Sequence, residues 1–174
     1  MKRVMIVGQP GAGKSTLARA LGQLTGLPVV HVDRIHHMSD WRERPRAEKI
    51  EMALRSHAEP EWIFEGGLSA TYDVRLARAD TLIVLDFPFW LRMWRVLKRT
   101  FIYYGRTRPD MADGCKEQFS WEFLKWIWDT RHTGRRSSQA LLSKARADTQ
   151  VHVLRTPSDV RIFLSDMSRV KTLA

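Results

Sequence analysis

Gly8, Gly13, Lys14 and Ser15 fall in the spacing G-x-x-x-x-G-K-[ST], inside the stretch "GQPGAGKST". Glycines at such positions let consecutive backbone N–H groups turn inward into a concave nest for an anion. A helix opening at Lys14 adds the partial positive charge of its N-terminus. In this arrangement the lysine reaches the β- and γ-phosphates of a nucleoside triphosphate, and the following hydroxyl ligates Mg²⁺. Gly8, Gly11, Ala12, Gly13, Lys14, Ser15 and Thr16 are therefore candidate ATP-binding residues, with ATP and Mg²⁺ implied. A guanine-selective Asn-Lys-x-Asp motif is excluded, because the chain contains no asparagine.

Three acids follow apolar runs: Asp33 in "HVDRIHH", Glu65 in "FEGG" and Asp86 in "VLDFP". A Mg²⁺ ion beside a phosphate loop needs a second carboxylate, usually through water. Glu65 and Asp86 both qualify, and Glu65 is preferred because Gly66 and Gly67 leave room for a substrate. Asp33 is the candidate general base, placed to hold an acceptor hydroxyl and take its proton. Helix capping is the structural alternative for Asp33. His36 and His37 are adjacent, with no Cys or His partner nearby, and make a poor zinc site.

Phosphoryl transfer is catalysed mainly by positioning and charge neutralisation, which suits arginine. Arg95 and Arg99 are four residues apart and share a helical face. Arg131 and Arg135 return later in the chain. Arg99, Arg131 and Arg135 are the candidate nucleotide or transition-state contacts, with Lys14 and Asp33 as the other catalytic residues. Asp33, Arg34, Gly66, Gly67 and Arg75 are the candidate acceptor-binding residues.

The elements that must hold these residues alternate strand and helix. "KRVMIVG", "LPVVHVD", "EWIFEGG", "DTLIVLDFP" and "TQVHVLRTP" read as five buried strands. Helices are expected from Lys14 to Thr25, stopped by Gly26, from Arg46 to His57, and from Pro157 to about Met167. Strands separated by helices imply a parallel sheet covered on both faces, with ligands at the carboxyl ends of the strands. Asp33, Glu65 and Asp86 each read as ending a strand. The excursion from Phe89 to about Asp148 reads as a helix, a structureless mobile flap and a second helix from about Trp121 to Arg146. Its tryptophans, in "FSWEFLKWIWD", are expected to pack between this excursion and the core; a nucleic-acid stacking platform is the alternative. Cys115 in the flap reads as incidental.

The chain has 174 residues and a net charge of +10. That length supports one domain, 1–174, with a lid insertion at about 100–135. The positive charge suits polyanions, and it is concentrated: Arg92 to Arg108 and Arg131 to Arg146 carry Lys and Arg but no acid. The two segments read either as solvated helix faces or, as the order of elements favours, as a phosphate-facing lid. One cysteine, no signal-peptide pattern and no apolar run of membrane-spanning length point to a cytoplasmic protein off the membrane.

The phosphate loop together with "LPVVHVDRI", "EWIFEGG", "ARADTLIVLDFP", "WRVLKRT" and above all "GRTRPDMADGC" resembles the P-loop proteins labelled DNA topology modulation proteins. They belong to the adenylate-kinase-like branch of nucleoside and small-molecule kinases. The resemblance spans roughly Lys2 to Leu164. It implies a three-layer αβα sandwich with core strand order 2-3-1-4-5, ATP at Gly8–Thr16, an acceptor pocket near Asp33 and Glu65–Gly67, and a closing lid. The family usually has Asp where this chain has Glu65. The implied activity is transfer of the γ-phosphate of Mg-ATP to a small acceptor, a nucleotide among the candidates. The alternatives are an ATP-binding regulatory protein acting on nucleic acid, and a slow ATPase with another partner.

Overall fold

A computed structural model describes residues 1–172. Five strands form one parallel sheet: β1 (Arg3–Gly8), β2 (Val29–His31), β3 (Trp62–Glu65), β4 (Thr81–Leu85) and β5 (Gln150–Leu154), in the order β2-β3-β1-β4-β5. This is the expected 2-3-1-4-5 sheet. It puts β1, and hence the phosphate loop, between β3 and β4. Register pairs Ile6 with Glu65 and Gly8 with Leu85, so Glu65 and Asp86 flank the loop from opposite sides.

Eight α-helices accompany the strands among the described residues: α1 (Lys14–Thr25), α2 (Val32–His36), α3 (Arg46–Ala58), α4 (Tyr72–Arg78), α5 (Phe89–Tyr103), α6 (Trp121–Asp129), α7 (Thr133–Lys144) and α8 (Pro157–Thr172). The central strand shows why the sheet is covered twice. Met5 and Val7 enter one core cluster, with Phe64, Ile35, Ala53 and Leu141; Val4 and Ile6 enter the other, with Leu17, Leu21 and Phe163. Successive strand residues point to opposite faces, so a run apolar on both needs helices on both. Each fully buried side chain of this size stabilises the fold by about 1.5–3 kcal/mol. Gly26 ends α1 as expected, its N–H bonding the Gly22 carbonyl.

Several expectations need correction. β2 stops at His31, so Asp33 lies in the first turn of α2 and does not end a strand. The helix expected from Trp121 to Arg146 is two helices, α6 and α7. Thr130 and Arg131 between them turn their carbonyls to the Gln9 amide of the phosphate loop (3.2 and 2.9 Å). The tryptophans of α6 are not packed into the core; of that helix only Ile127 is buried.

The flap is not structureless either. Tyr104 bridges to Glu117 and Thr107 to Lys116, and Arg108, Asp110, Met111, Cys115 and Glu117 are buried. Trp41, in the turn after α2, donates from its indole to the Lys116 carbonyl (2.8 Å). The Cys115 thiol donates to the Met38 carbonyl (3.3 Å), so this residue helps pin the flap to that turn.

Candidate active site

The candidate phosphate-binding residues run from the end of β1 into the first turn of α1. Gly11 has φ +76°, and a Cβ there would sit 2.3 Å from the Arg92 carbonyl oxygen, so glycine is required. The loop is thus packed directly beneath α5. Lys14 Nζ makes one long hydrogen bond, to the loop's own Gln9 carbonyl (3.3 Å). Ser15 Oγ has no hydrogen-bond partner among the described residues. An N–H-lined turn, a lysine held only by the loop and an uncommitted hydroxyl fit a triphosphate with its metal.

Helix α5 crosses this loop with a row of arginines. Arg92 is buried and donates to the Phe87 carbonyl (3.1 Å) and the Pro10 carbonyl (3.3 Å). Arg95 donates to the Ala12 carbonyl (3.4 Å) and stacks over Phe87. Arg99 follows one turn later. Spacings of three and four keep all three on one helical face. Neither Arg92 nor Arg95 was among the sequence candidates. The acid-free stretch containing them was the available signal, but it could not tell inward from outward arginines.

Arg99 Nη2 lies 3.7 Å from Glu117 Oε1, and its Nε is buried without a hydrogen-bond partner. Burial, then Arg108, pull its pKa below the usual value, while Glu117, Asp110 and Asp33 oppose that shift. Arg99 therefore sits in one electrostatic neighbourhood with Asp33 and a buried ion cluster in the flap. In that cluster Arg108 pairs with Asp110 and Glu117 (2.7 Å each), and Thr100 donates to Glu117 (3.1 Å).

The acids differ in their commitments. Glu65 is 2% exposed, and its Oε1 accepts from His31 Nδ1 (2.8 Å). Its Oε2 has no hydrogen-bond partner among the described residues. Asp86 is held by Arg135 through two contacts (2.8 and 2.9 Å). Arg135 is thus tied to a strand-end acid. Arg131 donates to the Trp128 carbonyl (2.7 Å) and stacks on that indole. Arg131 thus stays at the end of α6, while Arg135 lines one cavity with Gln9, Asp86 and Arg92.

Gly66 has φ +109°, and a Cβ would lie 2.1 Å from Val32 Cγ1. The backbone therefore turns sharply past α2, bringing Gly66 and Gly67 alongside the Asp33 helix. Arg75 is 0% exposed and does not line this opening. It donates to the Gly66 carbonyl (2.9 Å), Thr71 Oγ1 (3.1 Å) and His57 Nε2 (3.1 Å), and lies 4.0 Å over the Phe64 ring. Burial lowers its pKa to about 10. Burial, with Arg75 and Arg78 nearby, lowers His57 to about 3, which leaves its ring neutral and able to accept. Arg34 is exposed and donates to the Pro109 carbonyl (2.6 Å), joining α2 to the flap.

Comparison with known proteins agrees with this layout. A family model described as "ATPase family associated with various cellular activities (AAA)" matches residues 4–64, the segment from β1 to β3 that includes the phosphate loop. No curated protein matches by sequence. Among solved structures, the chain is similar to shikimate kinase from Acinetobacter baumannii in complex with shikimate (TM-score 0.57, 15% identity, covering 98% of this chain and 92% of that one). It is also similar to deoxyadenosine kinase from M. mycoides with bound dATP (TM-score 0.50, 13% identity, 96% and 99%). A sugar kinase from Janibacter sp. aligns as well (TM-score 0.51, 19% identity, 98% of each). At these identities the likeness is one of fold: a P-loop kinase sheet with its helices. No helix among the described residues is long and apolar enough to cross a membrane.

Proposed function

We propose that this chain is an ATP-dependent phosphotransferase that moves the γ-phosphate of Mg-ATP to a hydroxyl on a small acceptor. The observation that carries the reading is the arginine row of α5, laid across the phosphate loop with Arg92 on the Pro10 carbonyl and Arg95 on the Ala12 carbonyl. Gly8–Thr16 would cradle the triphosphate, with Lys14 on its β- and γ-oxygens. Ser15 and the uncommitted oxygen of Glu65 would hold Mg²⁺, which when bound would supply positive charge against the phosphates. Asp33 would accept the proton of the acceptor hydroxyl as its oxygen bonds to the γ-phosphorus. The bond from that phosphorus to the β,γ-bridging oxygen breaks, and ADP leaves. Arg99, with its unpartnered Nε, would meet the charge on the transferring group. We read residues 1–174 as a single domain, with the insertion at about 100–135 acting as its lid.

The acceptor is read as neutral. Arg75 is buried away from the opening, Arg108 is paired with Asp110 and Glu117, and Arg34 gives one donor to the Pro109 carbonyl. A nucleoside or a sugar fits that balance. A nucleoside monophosphate is the second reading, favoured by the exposed Arg42 and Arg46. The nucleic-acid alternative rests on the net charge of +10. Arg92 and Arg108 are buried and Arg95 faces the loop, so these three of the chain's basic residues are turned inward. ADP release scanned over nucleosides, sugars, monophosphates and short nucleic acids, with Lys14→Ala as the blank, tests the reading.

A further inference from the structure

The outer surface of α5 and α6 is apolar over an area that a monomer has no use for. Five of the chain's seven tryptophans lie between positions 90 and 128. Along α5, Trp90, Trp94, Leu97 and Phe101 follow at helical spacing, opposite the face that carries Arg92, Arg95 and Arg99. Phe101 is 86% exposed, Trp90 71% and, at the start of α6, Trp121 69%. The two helices run antiparallel and side by side. Phe89 and Trp90 meet Trp128 at one end (5.3 and 6.0 Å between ring centroids), and Tyr104 bridges to Glu117, just before α6, at the other.

We propose that a second copy of this chain covers this face, giving a two-fold dimer in which α5 and α6 of each chain pack together. Aromatic side chains of this size and exposure present about 1,000 Å². A standard interface needs about 800 Å² from each partner, whereas monomers rarely expose more than a few hundred.

Leu97 lies among the exposed aromatics of α5 and gives a nucleobase nothing to stack on. The cations are partly committed: Lys98 lies 5.0 Å over Trp94, and Lys125 pairs with Asp129 (2.5 Å). Glu122 is exposed on α6 and would oppose a polyanion or an acidic lipid surface, and Asp129 neutralises Lys125. A two-fold axis brings the patch onto itself, so acids and lysines of one copy meet those of the other. An interface with an aromatic centre and charges at its edge is of the expected kind.

Two copies of a +10 chain repel at long range, and salt screens that repulsion over about 8 Å at physiological strength. Salt should therefore tighten the dimer, whereas binding to a polyanion weakens with salt. The dimer does not depend on the phosphotransferase reading, because its mass is read without nucleotide.

The test is sedimentation equilibrium of the full chain at low and high salt, beside Trp94→Glu, Phe101→Ser and, on α8, Ile162→Glu as a control. The expected result is a species of two 20.3 kDa chains whose association tightens with salt. Trp94→Glu and Phe101→Ser each weaken it by roughly tenfold or more, with the thermal unfolding of dilute monomer unchanged, and Ile162→Glu has no effect. A wild-type chain that stays monomeric at every salt concentration overturns the proposal. So does a dimer indifferent to both substitutions. Monomeric protein that binds duplex DNA, single-stranded DNA or phosphatidylserine vesicles through this face, less strongly as salt rises, also overturns it.

Discussion

His31 Nδ1 and Glu65 Oε1 stand 2.8 Å apart where β2 and β3 run in register, and both side chains are buried. The pair fixes one oxygen of Glu65 and leaves the other for the phosphate-loop side. It also gives the longer acid a purpose: glutamate reaches a neighbour on the adjacent strand while still ending β3. Glu65→Gln is predicted to keep the fold but raise the Mg²⁺ concentration needed for half-maximal activity, measured by metal titration. His31→Ala leaves a buried carboxylate short of a donor, and should destabilise by about 1–3 kcal/mol in denaturant unfolding.

Asp33→Asn removes the proposed proton acceptor with little change in shape. kcat should fall by about 10²–10⁴. ATP affinity, measured by calorimetry, should stay near wild type, because Asp33 is not part of the phosphate loop.

The arginines are predicted to rank by where they point. Arg95→Ala removes a guanidinium that bridges α5 to the loop at Ala12, and should lower phosphoryl transfer by roughly tenfold or more. Arg135 is mostly exposed and bound to Asp86. Arg135→Ala should change transfer by less than about threefold, and stability by no more than about 1 kcal/mol. Single-turnover rates of the two variants, side by side, check the order.

Acid should loosen the fold through His57. Its folded-state pKa is lowered from 6.5 to about 3, first by burial and then by Arg75 and Arg78. Between those values the unfolded chain binds a proton that the folded chain does not. Stability is therefore complete above about 6.5 and falls as pH drops toward 3. His57→Gln keeps an acceptor for Arg75 Nε and loses the titration. Its unfolding free energy should decline less steeply with acid, with a slope smaller by up to about one proton.

Gly66→Ala meets Val32 at 2.1 Å and demands φ +109° of an alanine. It should cost about 1–3 kcal/mol, and it should displace the turn that Arg75 holds. Thermal unfolding reads the first effect and the acceptor KM the second.

Much of the frame was readable from the sequence because it is local. A continuous apolar run closed by glycine gives β1, and the loop after it is set by residues eight to sixteen. What escaped reading depends on distant contacts. Trp41 takes φ +60° while its indole is held by Lys116, 75 residues on, and nothing in "SDWRE" announces this. Helix α4 is only seven residues long and buries an arginine, which erases its amphipathic pattern. Arg95 and Arg135 look alike in sequence; only the rotation of α5 and the position of Asp86 separate them.

The most direct test follows γ-³²P from labelled ATP into an acceptor. A panel of nucleosides and sugars is incubated with wild type, Lys14→Ala and Asp33→Asn. The account predicts label on one class of hydroxyl acceptor with wild type, none with Lys14→Ala, and a large loss with Asp33→Asn. Label found only as free phosphate, at a rate no acceptor alters, would contradict it.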